Sequence, residues 1–319
     1  MTVAISRCQE EHPPGFPELV DCTVCPRECH VDRTSGVMGF CNTGAEYHVA
    51  SICIHAGEEP VLSGTRGMCN VFFSRCNMQC IYCQNNQISS NSGNVLGSQL
   101  SLSEIVTQIE KILEDKITLV GFVSPSHVIP QMRAIIEAIR RDGFNPTFVM
   151  NTNAYDKVET IASLADMIDV YLPDMKYMDA SLAERFSRTP NYPRVARRAV
   201  AEMHRQKGTH LLIDEDGLAR HGLIIRHLVL PGEIDNSIAC LRFVAREISP
   251  DVHVSVMSQY HPTAAVTGQP RLGRTLRQDE YERVLDEMDR LGLNTGWIQE
   301  MGSEEAYLPD FSRDSPFAP

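Results

Sequence analysis

Residues 71–89 read VFFSRCNMQCIYCQNNQIS. The first residues complete a short apolar run, 70–73, of the kind that forms a buried strand. The run stops abruptly in a polar loop that carries Cys76, Cys80 and Cys83. Beyond the loop, strand-like segments recur at 117–123, 147–150, 168–172, 224–230 and 252–257, each short, apolar and rich in β-branched residues. Segments with helical periodicity fall between or after them, at 102–113, 130–141, 157–164, 194–206, 237–247 and 278–291. Ser101 with Glu104 three residues on is a capping-box start for the first helix, and Gly143 follows the second where it should stop. These units predict an α/β fold: a parallel sheet forming a partial or complete (β/α) barrel of about six units, with a Cys-rich N-terminal extension. The site of such a fold lies at the C-terminal strand ends. An open doubly wound sheet satisfies the same periodicity.

The three cysteines of the loop are spaced C-x3-C-x2-C. Three thiolates on one loop can hold three irons of a [4Fe–4S] cube, leaving the fourth iron without a protein ligand. An open position of that kind is what makes a metal centre reactive. S-adenosylmethionine (SAM) can chelate the open iron through its amino and carboxylate groups. The alternatives are three ligands of a zinc site, or reduced structural thiols. The strand before the loop, the strand–helix repeats after it, and Tyr82 between the last two cysteines favour the cube.

Toward the N-terminus, residues 1–65 are rich in Cys, Gly and Pro and show little periodicity. Cys22, Cys25, Cys29 and Cys41 follow a C-x2-C-x3-C-x11-C pattern. Four thiolates close a zinc site or a second iron–sulfur cluster equally well, and spacing does not choose between them; reduced thiols are the alternative. Cys8, Cys53, Cys69 and Cys240 have no clear partner and read as small buried hydrophobes. Glu58 and Glu59, in HAGEEPVLSG, read most simply as a solvated acidic loop. The expected organisation is a metal-binding segment at 1–65, a barrel domain at 66–300 and a loose tail at 301–319.

Ten of the eleven cysteines precede residue 84, a clustering that points to metal ligation rather than disulfides. The chain of 319 residues is 43% hydrophobic, enough for a sizeable core. Its formal net charge of −12 disfavours a nucleic-acid partner. No basic start followed by an apolar stretch marks a signal peptide, and no apolar run is long enough for a membrane span, so a cytoplasmic protein is expected.

The segments DCTVCPRECHVDR, HAGEEPVLSG, FFSRCNMQCIYCQNNQIS, YLPDMKY, IRHLVLPG and SVMSQYHP, spread over residues 21–262, resemble the radical SAM superfamily. The likeness is to its iron–sulfur proteins similar to pyruvate formate-lyase activating enzyme. The resemblance implies a [4Fe–4S] cluster on Cys76, Cys80 and Cys83, SAM as co-substrate, and reductive cleavage of SAM to a 5′-deoxyadenosyl radical. It also implies a one-electron donor of the flavodoxin or ferredoxin kind and a substrate that includes proteins among the candidates. Tyr82 is expected near the adenine. FVMNTNAY resembles the third-strand segment of activating enzymes, which puts Asn151, Thr152 and Asn153 near SAM. YLPDMKY resembles their fourth-strand segment, which brings Asp174 and Lys176 to the same place, with Thr152 and Asp174 as a pair for a monovalent cation. Arg226 is a candidate partner for a carboxylate, and His261 matches a SAM-contacting histidine. Where the superfamily has a Gly-Gly-Glu type segment, this chain has VSPSHV, which offers Ser126 instead. Two other readings are a zinc-stabilised scaffold and a radical SAM enzyme acting on RNA.

Overall fold

The computed structural model describes residues 15–302, 308–313 and 315–317; Cys8 lies outside them. The strands are β1 (Tyr47–His55), β2 (Met68–Phe73), β3 (Ser98–Leu100), β4 (Leu119–Val123), β5 (Thr147–Thr152), β6 (Val170–Pro173), β7 (Leu212–Ile213), β8 (Ala219–Leu228), β9 (His253–Met257) and β10 (Gly296–Ile298). The helices are α1 (Pro60–Ser63), α2 (Asn86–Ser89), α3 (Leu102–Glu114), α4 (Ile129–Arg141), α5 (Val158–Ala162), α6 (Ala180–Ser187), α7 (Tyr192–Lys207), α8 (Ile234–Phe243) and α9 (Gln278–Leu291). The sheet order is β10-β9-β8-β6-β5-β4-β2-β1-β3, with β7 paired to β8. From β2 through β10 along this path neighbouring strands pair parallel. β1 and β3 extend one edge antiparallel.

Side-chain alternation along each strand sorts the residues onto two faces. One face carries Val71, Phe73, Val120, Phe122, Phe148, Met150, Tyr171, Leu223, Ile225, Val254 and Val256, and packs against Ile105 and Ile109 of α3, Ile135 and Ile139 of α4, Val200 of α7, Leu241 of α8 and Val284 of α9. The other face carries Met68, Leu119, Val149, Val170, Leu172 and Ile224, covered in part by Leu62 of α1. The long helices therefore coat a single face, which is how a barrel is wound; a doubly wound sheet would have them on both. The path ends at β3 and β10 without closing, so the barrel is partial.

The six expected strands all form. β1 lies in the segment expected to lack regular structure, because a bulge between Val49 and Ser51 breaks its alternation. β10 spans three residues, too few for a periodicity signal. α6 begins where the Asp179 carboxylate accepts from the N–H groups of Ser181 and Leu182, a cap that its eight residues left unread. The Ser101–Glu104 capping box is present. The tail expected to be loose is seated in part: the Phe311 ring packs 5.2 Å from that of Phe72, and Phe317 lies 4.0 Å from the His55 ring. No helix among the described residues is long and apolar enough to cross a membrane.

On the inner face, Gly121 of β4 leaves room for a polar neighbour. A Cβ there would stand 2.1 Å from Asn70 Oδ1 and 2.6 Å from Met68 Cε. Gly121→Ala is expected to cost about 1–3 kcal/mol, as overpacking of a tight interior does. A fall in the urea midpoint without change in the slope measures it, and an unchanged midpoint contradicts the close approach.

Candidate functional site

The cysteine loop begins with a sharp reversal. Arg75 follows β2 with φ of 74°, a left-handed conformation unfavourable for a side-chain-bearing residue. Its main-chain N–H donates to the Ile88 carbonyl at 2.6 Å, and its guanidinium donates to the Ser90 carbonyl at 3.1 Å. The loop is thus tied to the segment that follows it. Cys76 is buried, Cys80 and Cys83 half-buried, and all three line one cavity of about 380 Å³. Each sulfur faces a donor. The N–H of Met78 reaches Cys76 Sγ at 3.4 Å, the Ser187 hydroxyl donates to Cys80 Sγ at 3.0 Å, and the Ser89 hydroxyl to Cys83 Sγ at 3.3 Å. Burial pushes the Cys76 thiol up to about 12, against the Met78 N–H, and the Cys80 thiol up to about 11, against Lys176. Ligation would take both protons, since metals bind the thiolate.

Across the cavity sits a buried group of charges. Arg226, on the inner face of β8, donates to Glu58 Oε2 at 2.7 Å. Its Nε lies 3.5 Å from Asp174 Oδ1 and 3.8 Å from Glu59 Oε1. Lys176 Nζ donates to Asp174 Oδ2 at 2.7 Å. Burial pulls the Arg226 pKa down, but Glu59, Glu58 and Asp174 outweigh it and hold the pKa above its ordinary value. Burial alone would raise Asp174; Lys176 and Arg226 reverse this and hold it low. Burial likewise opposes the charge on Lys176, and Asp174 with the nearby thiols overcomes it. Glu59 keeps a raised pKa, because its burial exceeds the help from Arg226. Asp174 Oδ1 and Glu59 Oε2 are buried acceptors without a hydrogen-bond donor.

Cys76, Cys80, Tyr82, Cys83, Asn151, Asn153, Asp174, Lys176 and Arg226 all line this cavity. Thr152 and Ser126 do not. Thr152 points to the helix-covered face of β5, where its hydroxyl donates to Asp156 Oδ2 at 2.5 Å and lies 3.2 Å from the Ser126 hydroxyl. The period of the strand sends Asn151 inward and Thr152 outward. The Thr152 hydroxyl is therefore turned away from the Asp174 carboxylate, although the Asp174 N–H donates to the Thr152 carbonyl at 2.8 Å. Arg226 is already engaged by three carboxylates of the chain itself. His261 is absent from the lining, which has Gln259 and Ser255 in that region. Tyr82 is buried at the cavity wall, and its hydroxyl shares a 2.6 Å hydrogen bond with Tyr177, which in turn lies 2.7 Å from the Ser187 hydroxyl.

Glu58 and Glu59 overturn the expectation of a solvated acidic loop: their side chains are 7% and 6% exposed. The local sequence says nothing of this, because the counter-charge is Arg226, far along the chain. Ser255, Gln259, Trp297 and Gln299 of the lining were also missed. For Ser255 the inward parity of β9 was the available signal.

The donor set suits an iron–sulfur cube carried by three thiolates. The thiols sit on one loop, each with a donor aimed at sulfur, and the buried acceptors opposite have room for a cationic ligand group. A family model of the radical SAM superfamily matches residues 70–243, more than half of the chain. The chain belongs to that superfamily. An uncharacterized protein of Methanocaldococcus jannaschii is 29% identical over 281 residues, which are 86% of this chain and 76% of that protein. Native anSMEcpe, solved with bound AdoMet, matches at a TM-score of 0.50 with 13% identity, over 76% of this chain and 62% of that one. The FeFe-hydrogenase maturase HydG from Carboxydothermus hydrogenoformans also matches at 0.50, with 17% identity, over 70% of this chain and 50% of that one. The chain thus spans only part of each solved protein, and at these identities the likeness is one of fold.

Arg226→Met would leave three buried carboxylates with Lys176 as their one neighbouring cation in the cavity. A loss of about 3–5 kcal/mol is expected. Unpaired buried carboxylates hold protons more tightly than the unfolded chain does, so the deficit should shrink as pH falls from about 8 to about 5. Denaturant titrations of both proteins across that range test it; a deficit that widens on acidification contradicts the ion-pair account.

Proposed function

We propose that the chain is a radical SAM oxidoreductase whose reactive cluster is held by Cys76, Cys80 and Cys83. The observation that carries this reading is that these thiols and the Asp174–Lys176 pair line the same cavity. When bound, a three-thiolate [4Fe–4S] cluster supplies one electron to SAM, whose carbon–sulfur bond breaks to give methionine and a 5′-deoxyadenosyl radical able to take a hydrogen atom from a substrate C–H bond.

The residues of the chain divide the remaining work. Asp174 Oδ1, buried and without a donor, is the acceptor for the SAM amino group. Arg226 is a positioning residue: it holds Asp174 ionised and in place rather than meeting the SAM carboxylate itself. Lys176, a cation within electrostatic reach of Cys76 and Cys80, faces the carboxylate. Asn151 and Asn153 offer amide groups to the ribose and methionine parts, and Tyr82 packs toward the adenine. Ser187, Ser89 and the Met78 N–H stabilise negative charge on sulfur and so raise the cluster potential.

The activating-enzyme-like reading, with a protein as substrate, rests on the resemblance of FVMNTNAY and YLPDMKY. A flavodoxin- or ferredoxin-like protein is the class of donor that fits the required single electron.

Anaerobically reconstituted protein given dithionite and SAM should release 5′-deoxyadenosine, and Cys80→Ala should release none. A fully loaded wild type that yields no deoxyadenosine defeats the proposal. Asp174→Asn should weaken SAM binding about tenfold to a hundredfold, the worth of one charge-assisted hydrogen bond, read by calorimetry on the loaded protein. Ser187→Ala should move the midpoint potential of the cluster to more negative values in an EPR-monitored titration.

A further inference from the structure

A second set of thiols meets on the far side of the cysteine loop. Cys22, Cys25, Cys29 and Cys41 line one small cleft together with Arg27, Arg33, Gly39 and His127. The chain is shaped for their approach. A Cβ on Gly39 would stand 2.9 Å from Cys29 Sγ, so only glycine lets residues 39–41 lie against that sulfur. The main-chain N–H of Phe40 donates to Cys29 Sγ at 3.3 Å.

The charges around this cleft lack their counterpart. Arg33 is 1% exposed. Its guanidinium donates to the carbonyls of Gly44 and His127 and lies 3.7 Å from Cys22 Sγ. Arg27 donates to the carbonyls of Asn77 and Arg188, stacks 3.6 Å over the Phe40 ring, and keeps Nη2 buried without any partner. Among the described residues neither guanidinium has a carboxylate partner. A buried cation without a counter-ion is costly, so an anion belongs in the cleft. Four thiolates around a metal centre supply one.

These four thiols share one cleft. We propose that Cys22, Cys25, Cys29 and Cys41 hold a second [4Fe–4S] cluster, with Arg33 and Arg27 as its counter-charges. Four iron–sulfur bonds to cysteine form as four thiol protons leave. With no open iron, this cluster is closed to SAM. Arg27 also touches the first site: its acceptor Asn77 follows Cys76, its acceptor Arg188 follows Ser187, and it lies within electrostatic reach of Cys25, Cys29 and Cys76. One guanidinium thus stands between the two sets of thiols.

The test is iron and sulfide content after anaerobic reconstitution of the full chain. Wild type should carry roughly eight irons, and Cys25→Ala/Cys41→Ala roughly four. The reciprocal variant Cys76→Ala/Cys80→Ala/Cys83→Ala should also keep roughly four, now on the N-terminal thiols. This arm reads the second cluster even if the first site cleaves no SAM, and it stands if the N-terminal variant fails to fold. A wild type with roughly four irons, zinc in place of the second set, or an iron-free reciprocal variant overturns the proposal. Arg27→Met should keep the iron content and shift both EPR-monitored midpoint potentials negative; a potential that stays put in either signal refutes the shared counter-charge.

Discussion

The guanidinium of Arg226 lies between Glu58 and Glu59, from the segment after β1, and Asp174, at the end of β6. These groups come from distant parts of the chain and are largely withdrawn from water. In such a place each charge is tolerable only because the others are present, and loss of one leaves an uncompensated ion. The inner face of the partial barrel is organised around this constraint. It fixes the carboxylate of Asp174, which in turn orders Lys176 beside the thiols. It also brings the turn after β1 over the open side of the sheet, giving the cavity a floor of carboxylates.

The alternation of the strands does the sorting. Asn151 of β5, Arg226 of β8, and Ser255 and Met257 of β9 share inward parity and line the cavity. Thr152, His227 and Val256 share outward parity and are buried under the helices. Both outward polar groups find a partner: Thr152 has Asp156, and His227 Nδ1 lies 2.6 Å from the Met175 carbonyl. A polar residue at a strand end is therefore a site residue only if its parity agrees. Thr152 has the right address and the wrong face.

The cysteine loop depends on its neighbours in a similar way. Its sulfurs accept from Ser187 at the end of α6 and from Ser89 at the end of α2. Asn153 donates to Asn77 Oδ1 at 2.8 Å, and Asn77 donates to the Tyr155 carbonyl at 2.8 Å. Loop, third parallel strand and N-terminal segment are thereby held in one network, with Arg27 across it.

Much of this was legible in the sequence. The loop cysteines, the parallel strand–helix succession and the inward Asn151, Asp174 and Arg226 follow from local signals: metal-type spacing, period-two and period-3.6 apolarity, and position at strand ends. Such signals depend only on residues close together in the chain, where covalent geometry limits the options. The single-sided winding, the seating of Phe311 and Phe317, and the burial of Glu58 and Glu59 required the tertiary structure. So did the shared position of Arg27. In each of these the deciding partner is remote in sequence, and a charge or ring takes its meaning from what packing places against it.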